Sequence, residues 1–250
     1  MAHTLAGRVA EAVEGLTPGY FALVMASGIL SVGTHLEGLV WLSRGLLAVC
    51  AVSFVVLLSL TLWRFVSYRA ATNEDFLDPR RGFGFFTFVA GTNVLGVRLG
   101  MAGWPEVTGV LLAVSGAAWL VLGYIVPWTA ALGPQERPVV ATANGSWFIW
   151  VVASQSIAVL AAVLQPAVGG GHRELALLAV FSWSVGVFLY GAAGVFVAAR
   201  MLLYPLRPED LTPPYWVAMG ALAITVLAGA RIVEMADAPM VDVTRGLIAG

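Results

Sequence analysis

Asn93 and Gln155 are the side chains best placed to do chemistry inside an apolar stretch of this chain. Each puts a large amide where an unpaired polar group costs several kcal/mol, and each offers two N–H donors. Weaker donors accompany them at Ser27, Ser31, Thr92, Ser154, Ser156 and Thr225, with Gly28 leaving space beside the first. A wetted row of weak neutral donors suits passage of an anion, because a strong cationic site would hold the ion instead of releasing it. The same residue types also glue membrane helices together. The sequence leaves both readings open. Three aromatic pairs, Phe85-Phe86, Trp147-Phe148 and Tyr215-Trp216, read first as anchors at the level of lipid headgroups and second as a constriction. Arg231 suits either an anion-attracting mouth or a pairing with Glu234 three residues on.

The remaining inventory removes several chemistries. His3, His35 and His172 fall outside or at the edges of apolar runs, so neither an intramembrane haem ligand nor the base of a serine protease is available. All thirteen basic residues are Arg, and without Lys no retinal-type Schiff base can form. Cys50 is the single cysteine, which rules out a disulfide or cysteine metal cluster within one chain; it reads as a small lipid-facing or packing residue. No acidic residue lies deep in an apolar run, which favours passive flow over proton-coupled transport. No enzyme activity, cofactor or metal is expected. A net charge of −1 gives no reason to expect a nucleic-acid partner.

The elements that must position these residues are set by composition. The 250 residues are 60% hydrophobic and 11% charged, against about 25% charged for ordinary soluble domains. Apolar windows long enough to cross a bilayer recur near 18–35, 41–66, 83–101, 107–128, 145–165, 174–203 and 214–235, giving seven predicted spans. The fold class is therefore all-α integral membrane. Residues 1–17 form a cytoplasmic N-terminal segment, not a cleaved signal peptide, and 18–250 form the transmembrane domain. A cytoplasmic amino terminus leaves Arg8, Arg64, Arg69, Arg80, Arg81, Arg137, Arg200 and Arg207 inside, with Arg44, Arg98, Arg173, Arg231 and Arg245 outside. That bias orients a multi-pass protein of a bacterial inner membrane.

An internal repeat organises the spans. An aromatic pair followed about five residues later by small residues opens every odd-numbered span, at Tyr20, Phe85, Trp147 and Tyr215, at intervals of 62 to 68 residues. The unit is a helical hairpin repeated in one orientation. Polar side chains concentrate in the odd spans, so odd helices should face protein or water and even ones lipid, an inner ring within an outer ring. One more interval places the next aromatic pair near position 280, and the sequence reads as stopping inside an eighth span at Gly250.

The stretches Pro18 to Ile29, Asp78-Pro79-Arg80-Arg81 leading to Phe85-Phe86, Trp147 to Ala158, and Pro213 to Gly220 together resemble the tellurite-resistance and C4-dicarboxylate transporter family. That family includes the slow anion channels of plant guard cells. The resemblance implies ten helices in five hairpins, odd helices around a central pore, and a trimer with one pore per subunit. Seven of those ten spans are expected here. The resemblance implies small inorganic or organic anions and the lipid bilayer as partners, and a passive small-anion channel as the function. A carrier exporting C4-dicarboxylates, sulfite or tellurium oxyanions is its alternative, and a non-conducting membrane protein a third. The chain departs from the family pattern at Asp78-Pro79, where His-Pro is frequent. The family's phenylalanine gate belongs to the ninth helix, so no gate residue carries over.

Overall fold

The computed structural model describes residues 5–132, 138–235, 241–244 and 246. His3, Arg137, Arg245 and the stretch ending at Gly250 lie outside the described residues. Among the described residues every regular element is helical. A short amphipathic helix, α1 (Leu5–Glu14), precedes α2 (Ala22–Leu36) and α3 (Val40–Ser67). The short helix α4 (Arg69–Leu77) leads to α5 (Phe86–Met101) and α6 (Pro105–Leu132). Then come α7 (Phe148–Leu164), α8 (His172–Leu203) and α9 (Val217–Val233). Seven helical segments are long and apolar enough to cross a membrane, starting at Pro18, Val40, Gly82, Pro105, Gly145, His172 and Pro213. These starts fall within a few residues of those read from the sequence. The chain is a multi-pass membrane protein.

The aromatic repeat has a local structural cause. Each odd span begins as a 3-10 turn, at Pro18–Phe21, Gly82–Phe85, Gly145–Trp147 and Pro213–Trp216, and continues directly into the α-helix. Proline stands in the first turn of two of them, where its missing N–H has no helical partner to lose. The far end of each hairpin turns on a glycine with positive φ: Gly38 at 77°, Gly103 at 84° and Gly171 at 79°. Only glycine adopts that backbone without a steric penalty, so these positions end one helix and release the next.

The odd spans α2, α5, α7 and α9 touch one another in chain order and make an inner arc. Each even span packs on the odd helix before it and the odd helix after it: α3 on α2 and α5, α6 on α5 and α7, α8 on α7 and α9. The middle of the arc is the core. Nearly the whole length of α7 is buried, from Phe148 to Leu164, matching a helix that is apolar all round. The outer helices keep faces of Val52, Val55, Val110, Leu120, Phe188 and Val195 exposed, as a lipid-facing surface requires. Glycines set the close approaches within the arc. A Cβ on Gly28 would stand 2.6 Å from Val94 Cγ1, and one on Gly96 2.9 Å from Leu160 Cδ2. Cys50 is fully buried, which decides between its two readings: it packs against α2, its thiol 3.5 Å from the Val24 carbonyl.

Candidate functional site

The inner arc lines a half-open cavity of ≈ 380 Å³. Its wall takes one stripe from each odd helix: Ile29, Val32, Gly33 and Leu36 on α2, and Asn93, Val94, Val97 and Met101 on α5. Ser156, Val159 and Val163 come from α7, and Ile224, Leu227 and Arg231 from α9. The spacings of three, four and seven are those of a single helix face. Every stripe begins about two turns into its helix, so the repeat brings four equivalent faces to the same depth. No residue of an outer helix is among those lining it.

The polar residues read from the sequence divide between this wall and the seams behind it. Asn93 and Ser156 line the cavity and are joined to each other, Asn93 Nδ2 donating to Ser156 Oγ at 2.8 Å. The Asn93 carbonyl accepts from Ser115 Oγ of α6 at 2.5 Å, so the amide is pinned between three helices. Ser154 points towards α6, accepting from Trp119 Nε1 at 2.9 Å. Gln155 points towards α8, donating to the Trp183 carbonyl at 3.2 Å, while its buried Oε1 has no partner. Thr92 and Ser27 donate to carbonyls of their own helices, Phe88 and Leu23, both at 2.7 Å. Thr225 does the same to Ala221 at 2.7 Å, and its own carbonyl accepts from Trp183 Nε1. Gly28 is a contact glycine between α2, α5 and Cys50.

The aromatic pairs lie away from the cavity wall. Phe86 is fully buried, stacked 5.7 Å from Trp150, and Phe85 stacks on Phe76 of α4 at 3.9 Å. Phe148 meets Tyr190 of α8, and Trp147 packs between Phe83 and Phe196. Tyr215 is half-buried, and Trp216 is the member left largely exposed. Arg231 lines the cavity, and its guanidinium sits 2.8 Å from Glu234.

Two features escaped sequence reasoning. Arg98, counted there as an orientation charge outside the membrane, is buried to 4% exposure within α5. Its Nε donates to Ser31 and Ser43 at 3.1 and 3.2 Å, and its Nη2 to Ser43 at 3.1 Å. Ser31 thus serves the α2–α3 seam. The position of Arg98 one turn before the end of its span was the available signal. The outer helices are also less bland than their composition suggested: Ser43, Ser115, Trp119 and Trp183 supply partners to the inner helices at every seam.

At the opposite end of the molecule, charged groups gather at the ends of α3 and α8, on α4 and in the connections that follow. Buried Asp75 takes Arg64 at 2.6 Å and Arg81 at 2.8 Å, and Arg64 also donates to the Glu14 carbonyl at 3.0 Å. Arg200 meets Asp210 at 3.3 Å in a small polar cleft shared with Arg80, Asn144 and Tyr215. The backbone N–H of Arg207, then the nearby arginines, holds the Asp210 carboxyl below its ordinary range.

A family model described as voltage-dependent anion channel matches residues 15–248. An uncharacterized membrane protein of Mycobacterium tuberculosis is 78% identical over 64 residues, which is 26% of this chain and 32% of that one. An uncharacterized transporter of Methanocaldococcus jannaschii is 25% identical over 225 residues, covering 87% of this chain and 64% of its own. A second from the same archaeon is 26% identical over 223 residues, 86% of this chain and 65% of the relative. The chain thus spans just under two thirds of the length of these archaeal relatives and about a third of the mycobacterial one. No solved structure matches it.

Proposed function

Because the chain belongs to the voltage-dependent anion channel family, by a match over residues 15–248, we propose that it moves small anions passively across a bacterial inner membrane. The conduit in this reading is the cavity that α2, α5, α7 and α9 line. The observation that carries it is the wall itself: four equivalent helix faces, mostly apolar, with the amide of Asn93, the hydroxyl of Ser156 and the guanidinium of Arg231. A wall with few and mostly neutral polar groups lets an anion pass without trapping it. Among the described lining residues none is a carboxylate or an imidazole, the groups that usually take up a proton on a coupled pathway.

The proposal extends to orientation and assembly. The ends carrying the 3-10 turns, rich in Arg64, Arg69, Arg80, Arg81, Arg200 and Arg207, face the cytoplasm together with the amino terminus. The expected assembly is a trimer with one conduit per subunit.

Flux from liposomes into which the chain is reconstituted tests the reading, with nitrate, chloride and malate compared in the presence and absence of a pH gradient. Nitrate should pass faster than chloride, because it sheds water more easily, and neither should need the gradient. Flux that saturates and vanishes without the gradient would replace the conduit by a carrier for dicarboxylates or oxyanions.

A further inference from the structure

We infer that Arg98 sets the charge preference of the cavity, acting through the protein as a fixed and uncompensated positive charge behind its wall. The inference rests on the cavity being the anion path and adds a specificity-determining residue to it.

The argument begins with the hydrogen bonds around Ser31 and Ser43. Each hydroxyl donates to the other residue's carbonyl, Ser31 Oγ to the Ser43 oxygen and Ser43 Oγ to the Ser31 oxygen, both at 2.7 Å. With both protons committed to backbone, the lone pairs of both oxygens are left to accept from the guanidinium, as they do at 3.1 to 3.2 Å. Arg98 is therefore solvated by neutral dipoles that satisfy its donors and leave its charge intact. Among the described residues no carboxylate lies within ion-pair distance of it, the pairs formed being Arg64 and Arg81 with Asp75, Arg200 with Asp210, and Arg231 with Glu234. The charged neighbour that acts on it, Arg44, is itself a cation.

Position turns that charge towards the cavity. Val97, next to Arg98 on α5, lines the wall, and so do Val94 and Met101 on either side of it. The guanidinium thus sits in the α2–α3–α5 seam at the edge of the α5 stripe, four residues after Val94 and three before Met101, with apolar side chains lining the wall beside it. A charge acting through such a layer is screened far less than one in water. Arg231, by contrast, is paired with Glu234 at 2.8 Å. A buried arginine is costly within a membrane span, and the places where such a cost is tolerated mark ion pathways.

The test reads potential without requiring flux. In a Cys50→Ala background of the full chain, Val97→Cys places a thiol on the cavity wall. Its modification rates with an anionic and a cationic methanethiosulfonate of similar size are compared, each normalised to a free thiol. The ratio should exceed that of the free thiol in the parent and fall on the order of tenfold with Arg98→Gln, as expected for the loss of one poorly screened charge beside the wall. Arg98→Lys should keep most of the preference because the charge remains. Gln preserves a donor for the two serines, and Arg98→Met serves as a second neutral variant. A parent ratio equal to that of the free thiol overturns the inference. So does a ratio unchanged in a folded neutral variant, which would leave Arg98 as a structural staple of α2, α3 and α5. Loss of anion flux in the parent with the preference intact would instead remove the conduit and keep the charged cavity.

Discussion

Three consecutive residues of α7 face three different neighbours: Ser154 meets Trp119 of α6, Gln155 meets Trp183 of α8, and Ser156 meets Asn93 of α5. A helix turns about 100° per residue, so a polar cluster in sequence is dispersed around the axis. Only Ser156 of the three reaches the cavity wall. Gln155 lies instead under Gly186, where a Cβ would collide with the Gln155 amide. Gly186→Ala should therefore destabilise the protein by about 1–3 kcal/mol through overpacking. Adding Gln155→Ala should recover most of that loss, since the colliding amide, half of it without a partner, is then removed. Thermal midpoints in detergent for the two singles and the double variant decide the matter; additive losses would refute the contact.

At the scale of elements, burial of Asp75 ties three helices into one unit. Its carboxylate accepts from Arg64 at the end of α3 and from Arg81 beyond α4, and Arg64 reaches the last carbonyl of α1. Removing one partner of a buried pair leaves the other charges uncompensated. Asp75→Asn should cost about 3–5 kcal/mol. The loss should be local as well as global, with faster hydrogen exchange over residues 69–77 than in α5 or α7. Unchanged exchange in α4 would mean that the clamp contributes no order. The hairpin turns show what a closer reading of the sequence offers at this scale. Gly38, Gly103 and Gly171 recur with nearly the interval of the aromatic pairs and mark the opposite ends of the hairpins.

For the whole molecule, the repeat produces an arc in which one set of ends carries the 3-10 turns and the other the glycine turns. If the first set faces the cytoplasm, a cysteine at Asn144 or Thr212 reacts with an impermeant reagent only from the inner side. One at Glu106 or Gly170 then reacts only from the outer side. Labelling of right-side-out and inverted vesicles measures this directly, and the reverse pattern would turn the proposed orientation over.

Hydropathy and composition by themselves determined the seven spans, the hairpin repeat and the division into inner and outer helices, because each follows from how many apolar residues a bilayer demands and how costly polar groups are within it. The family likeness lay in the same segments that open the odd spans. Which polar residues meet the cavity was decided only by tertiary structure. The rotation of each helix about its own axis is fixed by the neighbours it packs against, and the sequence of one helix does not contain them. Arg98 illustrates the point most sharply: near the end of a span it reads as an anchor in water, and only the approach of Ser31 and Ser43 from two other helices makes its burial possible.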